Sequence, residues 1–237
     1  MTHLEFLGDR AVLARFASEA EAAAWAHAVR AAHLPGVLDV CLAYATAAVH
    51  GDPDRVDDWD AWADRLRAVE VGEDRDRADG RVLRIPVWYG GADLDDVARA
   101  IGATPSEVVG LHSGRDYRVF AVGFQPGFPY AGYLPDRLAG LPRRPSPRAR
   151  VPAGSGAIAG RQTGVYPGES PGGWHLLGRT PCRIVDLAAG VFPIEPGDLI
   201  RFEPIDRGEF DALASDPAWP TPLSPGAGCD RSQADLS

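Results

Sequence analysis

The sequence predicts an α+β protein built from two parts that a charged linker joins. Up to about residue 69, apolar residues recur first at strand spacing and then at helix spacing. Residues 71–81 are polar and charged, and short apolar stretches separated by glycine and proline follow from residue 117. The first pattern is typical of an antiparallel sheet with helices on one face, and the last is typical of a β-barrel or sandwich with long loops. Since 45% of the 237 residues are apolar, the chain can bury a core.

The elements of the first part follow one another closely. Residues 4–16 predict a strand, a turn and a second strand. Ser18 followed by Glu21 is a capping box, which predicts a helix through the alanine-rich stretch that comes next. Residues 37–50 alternate well enough for two strands, and residues 57–69 carry apolar side chains at helical spacing.

The second part begins with a predicted strand at residues 82–89. Two short helices follow at residues 94–101 and 105–112, the second capped by Thr104, and a further strand at residues 117–124 leads into the region rich in glycine and proline. Shorter strand-like stretches recur at residues 157–158, 175–177, 183–187 and 199–202.

The charge of the chain is unevenly distributed. Its formal net charge is −9, yet residues 118–185 contain nine arginines against two acids, Asp136 and Glu169. Aromatic and β-branched residues are interspersed among the glycines of this region, so we predict short strands joined by turns rather than disorder. A basic, glycine-rich half of an acidic protein predicts a site for an anionic ligand.

Every basic residue is an arginine, because the 24 residues counted as lysine plus arginine include no lysine. The absence of lysine excludes Schiff-base chemistry on a lysine, and it excludes a P-loop, whose lysine contacts the β- and γ-phosphates. Any nucleotide that this chain handles is therefore held in another way or by a partner.

Composition also predicts where the protein works. We expect no secretory signal, no transmembrane helix and no membrane contact, since no stretch approaches 18 uninterrupted apolar residues. Cys41, Cys182 and Cys229 are odd in number and lack CxxC spacing, which favours reduced thiols in a cytoplasmic protein. The six histidines show no HxH or HxxxH pair, so we expect no metal site.

Three motifs invite a functional interpretation that the residues do not support. Residues 94–112 imitate a DNA-binding helix-turn-helix, but the second helix offers no side chain that reads a base, which favours a packed helical hairpin and no nucleic-acid partner. Ser155 lies between two glycines but lacks the outer glycines of a nucleophile elbow, which favours a tight turn. Cys182 follows His175 at the start of an apparent strand, where a buried thiol is the usual finding.

Three closely spaced stretches carry a resemblance to a known family. The first block is VFAVGFQPGFPYAGYLP at residues 119–135, the second is PRRPSPRARVPAGSGAIAG at 142–160, and the third is RQTGVYPGESPGGWHLLGRTP at 161–181. Together they resemble the KipI family, which includes the B-type subunit (PxpB) of bacterial 5-oxoprolinase and subunit 1 of allophanate hydrolase. Weaker similarity extends over nearly the whole chain up to about residue 205.

The resemblance implies a fold class of two domains. We expect an N-terminal ferredoxin-like α+β domain at residues 1–80 and a cyclophilin-like β-barrel domain at residues 81–208. A disordered C-terminal tail at residues 209–237 would follow.

The resemblance also implies a role in a complex. Proteins of this family pair with a larger paralogous, KipA-like subunit and, with a LamB/YcsF-like subunit, hydrolyse 5-oxo-L-proline to L-glutamate using ATP. Without a P-loop, this chain would contribute half of a composite site and be inactive alone. Two alternatives stay open: an inhibitor of a sensor histidine kinase, and a carboxyltransferase half-domain of a urea carboxylase or allophanate-type system.

The predicted ligand is a small anion, because arginine binds carboxylates and phosphates bidentately. Arg148 and Arg179 are the preferred contacts, although a structural salt bridge or a clamp on a loop carbonyl explains each of them equally well. Gln162 and Ser170 would orient the amide, and no catalytic residue is assigned. The aromatic residues Phe128, Tyr130, Tyr166 and Trp174 would form either a pocket wall or barrel core; secondary candidates are Arg144, Arg150, Arg161, Ser155 and Gln125.

Overall fold

The N-terminal domain is a four-stranded antiparallel sheet covered by two helices. The computed structural model describes residues 3–72 and 81–222. The strands are β1 (His3–Phe6), β2 (Ala11–Arg15), β3 (Val37–Ala43) and β4 (Thr46–Gly51), in the order β1-β2-β4-β3, and the helices are α1 (Glu19–Ala31) and α2 (Trp59–Arg67).

Both helices begin where a polar side chain caps them. The Glu21 amide donates to Ser18 Oγ at 3.3 Å, and the Ala61 amide donates to Asp58 Oδ1 at 2.9 Å. Each helix then buries a tryptophan, Trp25 and Trp62, in the core of this domain. The predicted start of α1 is confirmed, whereas α2 begins two residues later than its apolar spacing suggested because Asp58 is its cap.

The ferredoxin-like expectation for the N-terminal domain is not confirmed by the order of its elements along the chain. A ferredoxin-like domain alternates β-α-β-β-α-β, whereas this domain runs β-β-α-β-β-α. The reason is that β1 and β2 form an antiparallel hairpin, with Leu4 opposite Ala14, before the first helix is reached. Strand β4 then inserts between β2 and β3, antiparallel to both.

The second domain is a closed β-barrel with a helical hairpin on one side. Seven strands follow the order β12-β9-β10-β7-β6-β13-β5, and the pairing of Arg179 with Trp88 joins β12 to β5 and closes the circle. The strands are β5 (Val82–Trp88), β6 (Asp116–Val122), β7 (Pro129–Gly132), β9 (Ser155–Ala159), β10 (Gln162–Val165), β12 (His175–Arg179) and β13 (Leu199–Ile205), with the helices α3 (Leu94–Ala100) and α4 (Pro105–Ser113). The prediction of a barrel or sandwich therefore resolves as a barrel.

Two smaller pieces complete the domain. A separate ribbon pairs β8 (Arg148–Val151) with β11 (Ser170–Gly172), and β14 (Thr221–Pro222) adds to the edge of β5. The strand predicted at residues 183–187 is not formed; an isolated bridge between Asp186 and Val191 stands there instead.

The helical hairpin packs on the barrel, as the interpretation against DNA binding predicted. Thr104 and Glu107 form the capping box of α4, and Val97 and Val108 are buried in the barrel core. His112 is a polar residue buried beside the same core, and its Nδ1 lies 2.7 Å from the Tyr89 hydroxyl.

The expected tail at residues 209–237 is corrected over its first part. Residues 209–214 belong to helix α5 (Arg207–Ala214), which begins with a capping box of Asp206 and Glu209. Phe210 of this helix is buried and packs on Trp88 of β5, with 5.8 Å between the ring centroids. The apolar contact explains why this segment is helical; residues 223–237, and the predicted linker at 73–80, lie outside the described residues.

The two domains contact each other through aromatic side chains. The Tyr44 ring stacks on the Phe120 ring with 5.3 Å between centroids, and the Tyr44 amide donates to the Phe120 carbonyl at 3.1 Å. The Tyr133 hydroxyl donates to Glu19 Oε1 at 2.9 Å, which links the barrel to α1.

Candidate arginine site

The second and third sequence blocks meet at Gly154. The Gly154 amide donates to the Tyr166 carbonyl at 2.7 Å, and the Thr180 amide donates to the Gly154 carbonyl at 2.8 Å. Gly154 has a φ of +77°, and a Cβ placed there would lie 2.5 Å from the Thr180 carbonyl oxygen. Only glycine fits both restrictions, so the glycine of VPAGS holds the two blocks together.

The four aromatic candidates form one cluster. The Phe128 ring centroid lies 5.0 Å from that of Tyr130, 5.1 Å from that of Tyr166 and 5.4 Å from that of Trp174. All three contacts are edge-to-face, the arrangement that aromatic quadrupoles favour. Phe128, Tyr166 and Trp174 are buried and Tyr130 packs against them, so the cluster is a small core of its own beside the main barrel core.

Arg144 and Arg148 converge on a buried carboxylate, that of Asp93. Arg144 Nη1 and Arg148 Nη2 each donate to Asp93 Oδ1 at 2.7 Å, and the Leu176 amide donates to Asp93 Oδ2 at 2.7 Å. The Asp93 side chain is 1% exposed, whereas those of Arg144 and Arg148 are 31% and 23% exposed. We refer to Asp93, Arg144 and Arg148 as the arginine site.

The electrostatics of the arginine site favour an ionised carboxylate. Burial raises the pKa of Asp93, but the hydrogen bonds from Arg148 and the Leu176 amide, with the charges of both arginines, more than offset burial and hold this pKa below its usual range. Two guanidinium groups facing one carboxylate give the site a formal charge of +1. Arg144 Nε and Arg148 Nη1 are buried and have no hydrogen-bond partner among the described residues.

The segment that carries both arginines is fastened to the barrel at several points. His175 Nε2 lies 2.8 Å from the Pro142 carbonyl oxygen, and the Arg144 amide donates to the Gly173 carbonyl at 2.8 Å. Further along, Arg148 pairs with Gly172 in the ribbon of β8 and β11. The second block therefore lies across the turn of the third block in a fixed conformation.

The other candidate arginines lie elsewhere. Arg179, at the far end of β12 from His175, donates through Nη2 to the Ala153 carbonyl at 3.1 Å, which is the carbonyl clamp foreseen as its alternative role. Arg150 pairs with Glu169 at 2.9 Å on the surface. The Arg161 guanidinium lies over the Tyr133 ring at 4.8 Å from its centroid, near the domain contact.

The polar candidate residues also lie at different places in the barrel domain. Gln125 Nε2 donates to Ser170 Oγ at 3.3 Å, so the first and third blocks touch there. Gln162 lies opposite Gly132 at the start of β10, and its Nε2 is buried without a partner among the described residues. Ser155 is buried and its Oγ donates to the Pro152 carbonyl at 2.7 Å, which supports a turn residue and not a nucleophile, although the bond goes to a carbonyl and not to an amide.

A family comparison matches most of the chain. The carboxyltransferase domain, subdomain C and D, matches residues 2–191. The chain belongs to this family. Two relatives are both named as the B-type subunit of 5-oxoprolinase: that of Escherichia coli O157:H7 is 44% identical over 159 residues, covering 65% of this chain and 69% of the relative. That of Bacillus subtilis is 41% identical over 150 residues, covering 62% of each.

Two solved structures show a similar fold. The crystal structure of TTHA0988 has a TM-score of 0.74 and 38% identity over 83% of this chain, and the chain spans 40% of TTHA0988. The urea carboxylase of Kluyveromyces lactis has a TM-score of 0.64 with 17% identity over 91% of this chain and 23% of the enzyme. That second likeness shows the fold alone.

Asp93 was not among the site residues predicted from the sequence. The residue precedes α3 in the position of a helix cap, and its side chain makes no cap hydrogen bond. Its partners are 51 and 55 residues away along the chain, so no local pattern signals the contact. Its burial is visible only in three dimensions.

Within residues 3–72 and 81–222, no group of three or more His, Cys, Asp or Glu side chains is placed to hold a metal ion. Over the same ranges, no helix has the length and apolar character needed to cross a membrane.

Proposed function

We propose that this chain is the B-type subunit of an ATP-dependent 5-oxoprolinase. In this reaction water adds across the lactam C–N bond of 5-oxo-L-proline to give L-glutamate, and ATP is hydrolysed to ADP and phosphate. The observation that carries the proposal is the 44% identity to a relative named as that subunit. The three blocks that carry the resemblance also lie together around the arginine site and the aromatic cluster.

The proposed complex has two further subunits, a larger paralogous one and a LamB/YcsF-like one, and works in the cytoplasm. This chain has no lysine and therefore no P-loop to hold ATP. Its role is to supply anion-binding and pocket residues to a site shared with the larger subunit. Purified alone, it turns over neither 5-oxoproline nor ATP.

The test is reconstitution with each subunit omitted in turn. The chain is expressed with its two candidate partners, and glutamate release from 5-oxoproline is measured with and without ATP. Release that needs ATP and disappears when this chain is left out supports the proposal. Full activity of the single chain, or of the two partners without it, contradicts the proposal.

A carboxyltransferase half-domain is the second candidate, favoured by the description of the family that matches residues 2–191. A stable complex without glutamate release would direct the next assay to carboxyl transfer, with a biotin carrier supplied by another chain. Absence of any complex would instead favour the inhibitor of a sensor histidine kinase.

A further inference from the structure

The arginine site lacks one negative charge. Both guanidinium groups donate to the same oxygen, Asp93 Oδ1, and neither has another carboxylate partner among the described residues. The one acid within the second and third blocks, Glu169, is already paired with Arg150 on the surface. A partly buried cation without a counter-ion is costly, so the charge balance of this site calls for one more anionic group.

The unused hydrogen-bond donors of the site match that deficit. Arg144 keeps its Nε–H unpaired and Arg148 keeps its Nη1 unpaired, since each guanidinium turns a different nitrogen toward Asp93. Charged donors that are buried and unpaired are rare in native proteins, and a ligand is one of the standard explanations. Because the second block is fastened through Pro142 and the Arg144 amide, its contacts with the barrel fix the positions of these groups.

We propose that Arg144 and Arg148, held by Asp93, bind the anionic group of the substrate or of its phosphorylated form, a carboxylate or a phosphoryl group. The identity of that substrate rests on the proposed function; the existence of the anion site does not. Asp93 is a positioning residue here, because its carboxylate fixes both guanidinium groups and ties them to the Leu176 amide of β12. Arg179 is excluded from this site, since it clamps the Ala153 carbonyl.

Binding to the full chain tests the site without any activity. Isothermal titration is carried out with 5-oxo-L-proline, with inorganic phosphate, and with the neutral carboxamide of 5-oxoproline. Binding of 5-oxoproline alone identifies a carboxylate site, and binding of phosphate alone identifies a phosphoryl site. No binding of either anion, or equal binding of the neutral carboxamide, overturns the proposal.

Arg148→Gln is the deciding variant, and Arg150→Gln is its matched control on the same strand. Arg148→Gln leaves one arginine facing one carboxylate, a neutral pair, so its unfolding temperature stays close to that of the unaltered chain while the anion Kd rises at least tenfold. Arg150→Gln leaves the Kd unchanged. If Arg148→Gln unfolds the protein, Arg144→Gln provides the same test; unchanged anion binding in a folded variant of either arginine overturns the proposal.

The two proposals fail separately. Suppose that Arg148→Gln loses anion binding and that the complex reconstituted with the unaltered chain releases no glutamate. That result would keep the anion site and reject the oxoprolinase. Active complexes with unchanged anion binding in both arginine variants would keep the oxoprolinase and reject the site.

Discussion

Gly154 joins two segments of the barrel domain at a point where no side chain fits. Its φ of +77° is unfavourable for other residues, and a Cβ would lie 2.5 Å from the Thr180 carbonyl oxygen. Gly154→Ala is expected to lower the free energy of unfolding by about 3 kcal/mol or more, since strain and a backbone clash add.

Gly190 is the matched control for this substitution, because its φ of +66° is similar but nothing lies within 4 Å of a Cβ there. Gly190→Ala is expected to cost only the conformational strain, about 1 kcal/mol. Urea denaturation of both variants measures the difference. Equal costs would show that the contact with Thr180 does not matter.

His112 makes the stability of the barrel depend on pH. Burial lowers the pKa of His112 from 6.5 to about 3. The ring lies between the Tyr89 hydroxyl and Thr163 Oγ1, and it stacks on Phe202. Because the folded-state pKa is depressed, the stability that neutral His112 contributes is present above pH 6.5 and is lost as the pH falls toward 3, at up to about 1.4 kcal/mol per pH unit.

His112→Gln tests this dependence, since glutamine keeps hydrogen-bonding groups and does not titrate. Thermal unfolding between about pH 7 and about pH 4 is expected to show a shallower loss of stability in the variant than in the unaltered chain. The carboxylates titrate in both proteins and cancel in the comparison. If stability falls equally with pH in both proteins, His112 is not a cause of the pH dependence.

At the arginine site, the residue types were predictable and their partners were not. The basic composition of residues 118–185 pointed to Arg148 and Arg144, and the alternative of a salt bridge for Arg148 describes its contact with Asp93. Asp93 itself was not predicted, because a buried ion pair between distant residues has no spacing to detect. Arg179 was grouped with Arg148 on residue type alone, and the barrel places it at the other end of β12.

Helix α5 is an element that composition alone did not reveal. Asp206 and Glu209 cap it reciprocally at 2.8 and 2.9 Å, and Phe210 is its buried anchor against Trp88. Phe210→Ala is expected to lower the free energy of unfolding by about 3 kcal/mol because it leaves a cavity.

Leu213 is the control on the same helix, since its side chain is 42% exposed. Leu213→Ala is expected to cost less than about 1 kcal/mol. Chemical denaturation followed by tryptophan fluorescence measures both. A Phe210→Ala cost as small as that of Leu213→Ala would mean that α5 contributes little to the barrel.

Among the elements, those defined by local signals were predicted well. The Ser18 cap of α1, the capping box of α4 and the helical spacing of α2 are confirmed, because a helix depends on residues near one another along the chain. At α1 the reciprocal half of the predicted box is not formed, since Glu21 Oε2 accepts from the Ala17 amide and not from that of Ser18. The order β1-β2-β4-β3 was not predicted, because strand pairing depends on contacts between distant segments. The strand expected at residues 183–187 had suitable side chains but found no partner strand among the described residues.

On the scale of the whole molecule, the Phe120 side chain couples the two domains. It packs between the rings of Tyr44 and Tyr133, with centroids 5.3 and 4.9 Å away. Phe120→Ala is expected to weaken this coupling, so that calorimetry resolves two unfolding transitions where the unaltered chain shows one. A single transition in the variant would contradict the coupling role.

Phe6 provides the control for that experiment, since its side chain is 51% exposed on β1, away from these contacts. Phe6→Ala is expected to keep a single transition at nearly the same temperature.

The division into an α+β domain and a strand-rich domain was predictable from composition and periodicity. The contact between the domains was not, because it rests on aromatic residues that had no pattern in common.

The parallel pairing of β5 with β13 has a consequence for how the chain folds while it is being synthesised. Val82 lies opposite Leu199, so the barrel cannot close until more than a hundred residues after β5 have been synthesised. The strand pairings of the N-terminal sheet, in contrast, lie between residues 3 and 51, which favours folding of that domain first. A nascent chain stalled before residue 199 would therefore carry a finished first domain and an open sheet whose apolar face is exposed to chaperones.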